Sequence, residues 1–164
     1  MASFSFDIVS EYDKAEMNNV FAQTEKEIAS RYDFKGTPAA IEWMSDKKGI
    51  KVIGSNEWQI DAVLDIIRKK LATREISSKV LDLEKQVNES NLRATKEVPF
   101  VEGLSQDKAK QITKHIKENI PKAKAQIQGE AVRVTSGSKD ELQTVMSSIN
   151  AAEFDFVTGF TNFR

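Results

Sequence analysis

The feature that most constrains this 164-residue chain is the order of its strand and helix patterns. Phe4–Val9 alternates apolar and polar residues, as a half-buried strand does. Asp13 and Glu16 are spaced as a capping pair, and the apolar residues after them recur at helical spacing as far as Arg31. The chain therefore begins with the pattern of a strand and then a helix.

The rest of the first half continues with a hairpin and a second helix. Residues 32–36 and 40–44 predict one long interrupted strand, and residues 50–53 predict its partner across a turn that ends in Gly49. Apolar residues from Ile60 to Leu71 then repeat at helical spacing. Residues 79–83 predict a closing strand, so the half is interpreted as β-α-β-β-α-β.

The second half runs through the same series of elements. Residues 94–101 predict a strand, and residues 105–119 predict a helix that Pro121 closes. Two short strands then flank the turn at Gly129, Ser138 begins another helix, and residues 154–157 predict the last strand. The polar stretch 84–91 lacks apolar periodicity. The sequence thus predicts an α+β protein with a tandem ferredoxin-like duplication: a first repeat at 1–83, a linker at 84–91 and a second repeat at 92–164.

Composition excludes several kinds of site. The chain has no cysteine, which removes disulfides, thiolate zinc sites and a cysteine nucleophile. Its one histidine, His115, lies among charged residues of a predicted helix. We interpret it as a solvated residue rather than a metal ligand or a base, and we expect neither a metal nor a cofactor. No apolar run is long enough to span a bilayer, so we expect a cytoplasmic protein without a membrane partner.

Four segments resemble the signature of the bacterial YajQ family. They are, in order along the chain, SFDIVSE at 5–11, SRYDFKG at 30–36, AQIQGEAVRVT at 125–135 and NFR at 162–164, and a DELQTVM helix at 140–146 follows the third. The family's order is kept, so the resemblance covers almost the whole chain. Tyr32 and Lys35 stand where the family more often has phenylalanine and arginine.

The resemblance implies two ferredoxin-like domains that exchange their N-terminal strands, so that Phe4–Val9 completes the sheet of the second domain. It also implies a non-catalytic protein whose ligands are ATP or GTP, transfer RNA or cyclic di-GMP, with a possible influence on transcription. No established enzymatic activity accompanies the family.

Aromatic residues are candidates for stacking on bases. In RNA-binding domains of this topology, bases stack on rings exposed on the helix-free face of the sheet. Three pairs of rings are spaced by two residues, so that each pair would share one face of a strand; they are Phe4 with Phe6, Tyr32 with Phe34, and Phe154 with Phe156. The pattern leaves open whether these rings face a ligand or fill the core.

Basic residues lie among the aromatic ones. Arg31 and Lys35 flank Phe34, Arg133 lies in the second hairpin and Arg164 ends the chain. A guanidinium can hold phosphate or a guanine edge through two hydrogen bonds, whereas lysine makes a point-charge contact. The candidate site for nucleotide or RNA is therefore Arg31, Phe34, Lys35, Arg133, Phe6 and Arg164. Surface ion pairs, Arg31 with Asp33 or Arg133 with Glu130, are the alternative.

The segment 108–124 is rich in lysine. Glu118 is the one acidic residue within 108–124, a segment that holds six lysines, so nucleic acid could dock there; a solvated helix face is the other interpretation. The sequence has neither a Walker loop nor a G-x-G-x-x-G motif, which makes nucleotide hydrolysis unexpected. The competing function is an adaptor that binds a protein partner and has only incidental affinity for nucleotides.

Overall fold

A computed structural model describes residues 3–164 of the chain. The elements follow the predicted order, with two four-stranded antiparallel sheets and helices packed against them. The α+β duplication predicted from the pattern is confirmed. The strands and helices are β1 (Phe4–Val9), α1 (Lys14–Ser30), β2 (Ala40–Trp43), β3 (Gly49–Gly54), α2 (Glu57–Thr73), β4 (Asn88–Ser90), β5 (Arg93–Pro99), α3 (Gln106–Asn119), β6 (Lys124–Gln128), β7 (Ala131–Ser136), α4 (Lys139–Ala151) and β8 (Gly159–Thr161).

The chain divides into two compact units. The central unit is Tyr12–Val101, and the terminal unit joins the N-terminal segment ending at Glu11 to Glu102–Arg164. In the central unit the strand order is β2-β3-β5-β4, with α1 and α2 packed against the sheet. Ile50 on β3 lies opposite Trp43 and Val98, and Val52 lies opposite Ile41. Because alternate residues of a strand share a face, these side chains form one apolar face beneath the helices.

The terminal unit has the strand order β6-β7-β1-β8, so the first strand of the chain lies inside the sheet of the second half. Phe6 pairs with Val134 on β7, and Ile8 pairs with Phe160 on β8. In return, β5 from the second repeat lies between β3 and β4. This confirms the strand exchange that the resemblance implied.

Side-chain caps begin the helices where the sequence predicts them. The Glu16 N–H donates to Asp13 Oδ1 at 3.1 Å, and the Glu141 N–H donates to Ser138 Oγ at 3.3 Å. Each cap satisfies a backbone donor that has no partner within its own helix. The Glu141 carboxylate is held by Ser136 Oγ at 2.7 Å, at the end of β7. The cap therefore also fixes the step from β7 into α4.

Two predicted strands, at 79–83 and 154–157, are wrong, and so is the first part of the interrupted strand, whose second part is confirmed as β2. Residues 32–36 contain a 3₁₀ turn at Tyr32–Phe34, in which the Lys35 N–H donates to Tyr32 O. Residues 79–83 contain a 3₁₀ turn at Ser78–Val80 and a single bridge from Leu81 to Phe100. Residues 154–157 are not a strand, and β8 begins two residues later. In each case an apolar residue enters the core from a turn, and that arrangement imitates the alternation of a strand.

Part of the predicted linker also has regular structure. Residues 88–90 of the 84–91 stretch form β4, which pairs with β5 across a tight turn. Asn91 and Leu92 have φ values of 50° and 63°, the left-handed values that a two-residue hairpin turn requires. The pairing is made by the backbone while the side chains of β4 are exposed, so it leaves no apolar periodicity in the sequence.

Among the described residues, no helix combines the length and apolarity needed to cross a bilayer.

The exchange predicts which fragments fold alone. A fragment of residues 12–101 keeps all four strands of its sheet, and we expect a cooperative thermal transition with helical circular dichroism. A fragment of residues 1–91 lacks β5, which separates β4 from β3 and exposes the apolar face of β3. We expect it to unfold without a cooperative transition. Equal cooperativity of the two fragments would contradict the exchanged pairing.

Candidate functional site

The predicted site residues are divided between the two units. Arg31, Phe34 and Lys35 belong to the central unit, whereas Phe6, Arg133 and Arg164 belong to the terminal unit.

Arg31 is held in place by two contacts in the turn after α1. Its Nε donates to Asp33 Oδ1 at 3.0 Å and its Nη2 donates to Oδ2 at 2.7 Å. The guanidinium carbon lies 4.6 Å from the centre of the Phe34 ring. The hydrogen bonds raise the pKa of Arg31 and lower the pKa of Asp33. The ion pair that the sequence left open as an alternative is therefore present, and it uses one edge of the guanidinium.

Tyr32 and Lys35 form the exposed part of the same turn. The Tyr32 ring is 86% exposed, and Lys35 Nζ lies 5.7 Å from its centre. In the part of the chain that the structure describes, Lys35 has no carboxylate within ion-pair distance. An open ring beside an uncommitted cation can stack on a planar heterocycle while the cation meets a phosphate.

A cleft of about 320 Å³ adjoins this turn in the central unit. Phe34, only 4% exposed, lies at its floor, and Lys35 also lines it. Thr37 and Glu25 supply the other polar side chains, while the remaining lining is aliphatic. A concavity that combines aliphatic walls with a few polar side chains can accept a small molecule that has both kinds of surface.

Asp7 is the centre of a polar network on the helix-free face of the terminal unit's sheet. Arg133 Nε donates to Asp7 Oδ1 at 2.9 Å, and Asn162 Nδ2 donates to Oδ2 at 2.9 Å. The Asp7 side chain is 10% exposed. Both hydrogen bonds lower the pKa of Asp7, and the one from Arg133 has the larger effect. Desolvation of the carboxylate acts in the opposite direction and raises the pKa. Arg133 thus pairs with Asp7, and the predicted alternative of a pair with Glu130 is wrong.

Arg164 is attached to β1 through its backbone. Its N–H donates to Ser5 O at 2.9 Å, and its carbonyl accepts from the Ser5 N–H at 3.1 Å. Its side chain is exposed, and its charge helps to lower the pKa of Asp7. Segments 5–11, 125–135 and 162–164, which carry the family resemblance, therefore meet in one sheet.

Most of the predicted stacking rings lie in the core. Phe6 has no exposed surface; its ring meets Phe160 edge-on at 5.5 Å and stacks on Phe163 at 6.0 Å. Phe156 is 3% exposed and stacks on Phe154 at 5.2 Å. A fully buried ring has no face to offer a base, so the interpretation of Phe6 as a ligand contact gives way to a core role. Among the six rings of the three predicted pairs, Tyr32 is the one that is exposed.

His115 has a partner that the sequence did not indicate. Its Nε2 lies 2.7 Å from Ser148 Oγ on α4, and its ring meets Phe154 edge-on. The Asn119 amide lies 3.3 Å from Nδ1 and donates to the His115 carbonyl oxygen at 2.8 Å. The interpretation as a simply solvated residue is wrong, and the contact with Ser148 joins α3 to α4.

No group of three His, Asp or Glu side chains placed to hold a metal ion occurs within residues 3–164.

Comparison with known proteins identifies the family. A family profile described as "Nucleotide-binding protein YajQ-like" matches residues 4–164. A protein of a Nocardioides species is 42% identical over 165 residues, and one of Streptomyces griseus is 45% identical over 168, each match covering 100% of both chains. A protein of Trichodesmium erythraeum is 42% identical over 98% of this chain and 97% of its own. Each of the three is named "Nucleotide-binding protein".

Burial of Phe6 predicts a large effect on stability. Replacing a buried phenylalanine by alanine removes apolar contacts and leaves a cavity, so Phe6→Ala should lower the free energy of unfolding by about 3–5 kcal/mol. Leu92→Ala, at a side chain 93% exposed, is the control and should change it by less than about 0.5 kcal/mol. Urea denaturation measures both. A Phe6→Ala protein of unchanged stability would contradict the core assignment.

The lowered pKa of Asp7 predicts a pH-dependent stability. Because the folded pKa lies below the unfolded value, the network stabilises the fold above about pH 4, and this contribution is lost as the pH falls through the folded pKa. Asp7→Asn should lower the melting temperature by several degrees at pH 7, and the difference should narrow towards pH 3. Asp33→Asn, in the exposed pair with Arg31, should have a smaller effect. A difference in melting temperature between the wild type and Asp7→Asn that widens on acidification would refute this assignment.

Proposed function

The chain belongs to the YajQ-like family, and on that premise we propose that it is a non-catalytic protein that binds a guanine-containing nucleotide or RNA at the turn after α1. The observation that carries the proposal is the pairing of the open Tyr32 ring with Lys35. Neither residue is used elsewhere: the ring contributes little to the core, and the ammonium has no carboxylate partner in the described chain.

The two side chains divide the recognition between them. Stacking of a base on Tyr32 would contribute about 1–3 kcal/mol to the binding free energy, and this contribution depends little on which base is stacked. Lys35 holds phosphate as a point charge, which tolerates several phosphate geometries. A ligand that has both a planar base and a phosphate, whether nucleotide or RNA, satisfies both groups.

Arg31 and Phe34 fix the geometry of the turn. Phe34 anchors the turn in the core, and Arg31 is clamped between the Phe34 ring and Asp33. Asp33 occupies the Nε–H and one N–H of Nη2, so the edge formed by Nη1 and the second N–H of Nη2 is left for phosphate or a guanine edge. In the terminal unit we assign Phe6 and Arg133 to holding the sheet, and the exposed Arg164 side chain stays a separate candidate for a phosphate contact within that unit.

The non-catalytic part of the proposal is supported by the groups present. The sequence lacks both a Walker loop and a G-x-G-x-x-G motif, the phosphate-binding loops of common nucleotide-hydrolysing enzymes. The names of the relatives describe binding, not a reaction. We place this activity in the cytoplasm, the compartment that supplies nucleotides and RNA.

Titration of the purified protein with labelled cyclic di-GMP, GTP, ATP and transfer RNA at two salt concentrations tests the proposal. Tyr32→Ala should weaken the best ligand by about 5- to 100-fold, the affinity equivalent of one stacking contact. Tyr32→Phe keeps the ring and should bind as the wild type does. Lys35→Ala should weaken binding and reduce its salt dependence, whereas Lys35→Arg should restore both.

Trp58→Ala is the matched control, because Trp58 is also an exposed ring of the central unit, 74% exposed, and does not line the cleft. The Trp58→Ala protein should bind the ligand with the affinity of the wild type. Equal losses from Trp58→Ala and Tyr32→Ala, or no loss from either Tyr32→Ala or Lys35→Ala, would remove the site from the turn after α1.

A further inference from the structure

A second concave surface lies in the terminal unit, between α3 and β6. It has a volume of about 680 Å³. Its lining contains four exposed lysines, Lys110, Lys114, Lys117 and Lys124, and aliphatic side chains that include the buried Ile116 and Ala123. We call this surface the lysine groove.

The lysine groove carries an uncompensated positive charge. All four lysines are exposed, and the lining has no Asp or Glu. Within residues 3–164 none of the four has a carboxylate within ion-pair distance. Lys110, Lys114 and Lys117 recur at intervals of four and three residues, so they project from one face of α3. Facing lysines with an apolar floor between them favour a ligand that is anionic and partly apolar.

One wall of the lysine groove is an open strand edge. β6 is the outermost strand of its sheet and pairs with β7 alone. Four of its five residues are exposed. An edge strand presents a row of free N–H and C=O groups, and lysines near such an edge commonly discourage pairing with apolar strands. Three of the four lysines stand on α3 and Lys124 stands on β6 itself, so the charge beside this edge repels a basic strand and attracts an acidic one.

We propose that the lysine groove binds an extended acidic segment of a partner protein, which adds to β6 as a fifth strand and places carboxylates against the α3 lysines. Strand addition at an exposed edge is a general mode of peptide recognition, in which the backbone supplies affinity and alternate side chains supply specificity. From Lys110 to Lys117 is about 10 Å along a helix, which about three residues of a strand span. Acidic residues at alternate positions would therefore share the face that meets α3.

The composition of the lining favours a polypeptide over nucleic acid. Single-stranded nucleic acid is held by rings on which bases stack, together with basic residues. The lining of the lysine groove includes no aromatic residue. A free backbone edge, in contrast, is complementary to another extended backbone, and the small side chains Ala123 and Ala125 give it room to approach.

A labelled synthetic peptide, acetyl-Thr-Glu-Val-Glu-Thr-Glu-Val-Thr-amide, tests the proposal by fluorescence anisotropy. The double variant Lys114→Glu/Lys117→Glu should weaken binding at least about tenfold, and raised salt should weaken it in the wild type. Lys26→Glu/Lys69→Glu, which makes the same change of charge at two exposed lysines outside the lining, is the control and should bind as the wild type does. Replacing the glutamates of the peptide by glutamine should also cost about tenfold.

Backbone pairing is tested by methylating alternate amide nitrogens of the peptide in each of the two possible registers. Only one set of amides faces β6, so one methylated peptide should lose binding and the other should keep it. Tyr32→Ala should leave peptide binding intact, which separates this proposal from the nucleotide site. Circular dichroism verifies the fold of the double variant, and Lys114→Gln/Lys117→Gln replaces it if the fold is lost.

Three results would overturn the proposal. The peptide would fail to bind, both methylated peptides would bind like the parent, or an oligouridylate of equal charge would bind more tightly and be weakened by the same lysine substitutions. The second result would reduce the surface to a charge contact, and the third would make the lysine groove an RNA site.

Discussion

The insertion of β1 between β7 and β8 determines the chemistry of the terminal unit. A central strand needs partners on both edges, and alternation sends Phe6 and Ile8 to the apolar face and Asp7 to the opposite one. The Asp7 carboxylate is nearly buried, so it requires donors, and it receives them from Arg133 and Asn162. Three distant segments of the chain are thereby joined at one side chain, and the exchange is fixed by polar pairing as well as by apolar burial.

This arrangement explains why the aromatic residues of the strands do not form a stacking platform. A ring on β1 must face the helices if Asp7 is to face the polar network, and Phe6 therefore fills the core. The chemistry of an exposed ring beside a cation is found instead in a turn, where Tyr32 is free of the alternation that a sheet imposes. Phe34 anchors that turn in the core, so the backbone beneath Tyr32 and Lys35 is fixed although both side chains are open.

The sequence predicted what depends on local periodicity and missed what depends on distant partners. Element order, the Asp13 and Ser138 caps and the lysines of α3 were all accessible from spacing. Residues 32–36 were misassigned because a turn that buries one ring has the same short alternation as a strand. The partner of β1 could be expected only from the family resemblance, since strand pairing across more than 120 residues leaves no local pattern. The partners of His115 and Arg133 likewise depend on register and helix packing.

Lysine alone does not select a ligand class, because Coulomb attraction acts on any anion and is screened alike for all of them. Selection comes from what stands beside the charge. At the turn after α1 the neighbour of Lys35 is an open ring, which adds affinity for planar bases. At the lysine groove the neighbours are aliphatic side chains and a free strand edge, which add affinity for an extended polypeptide. The two surfaces are therefore chemically distinct although both are cationic, and the two proposed ligands, a nucleotide or RNA and an acidic polypeptide, would use different groups of one chain of nearly neutral net charge.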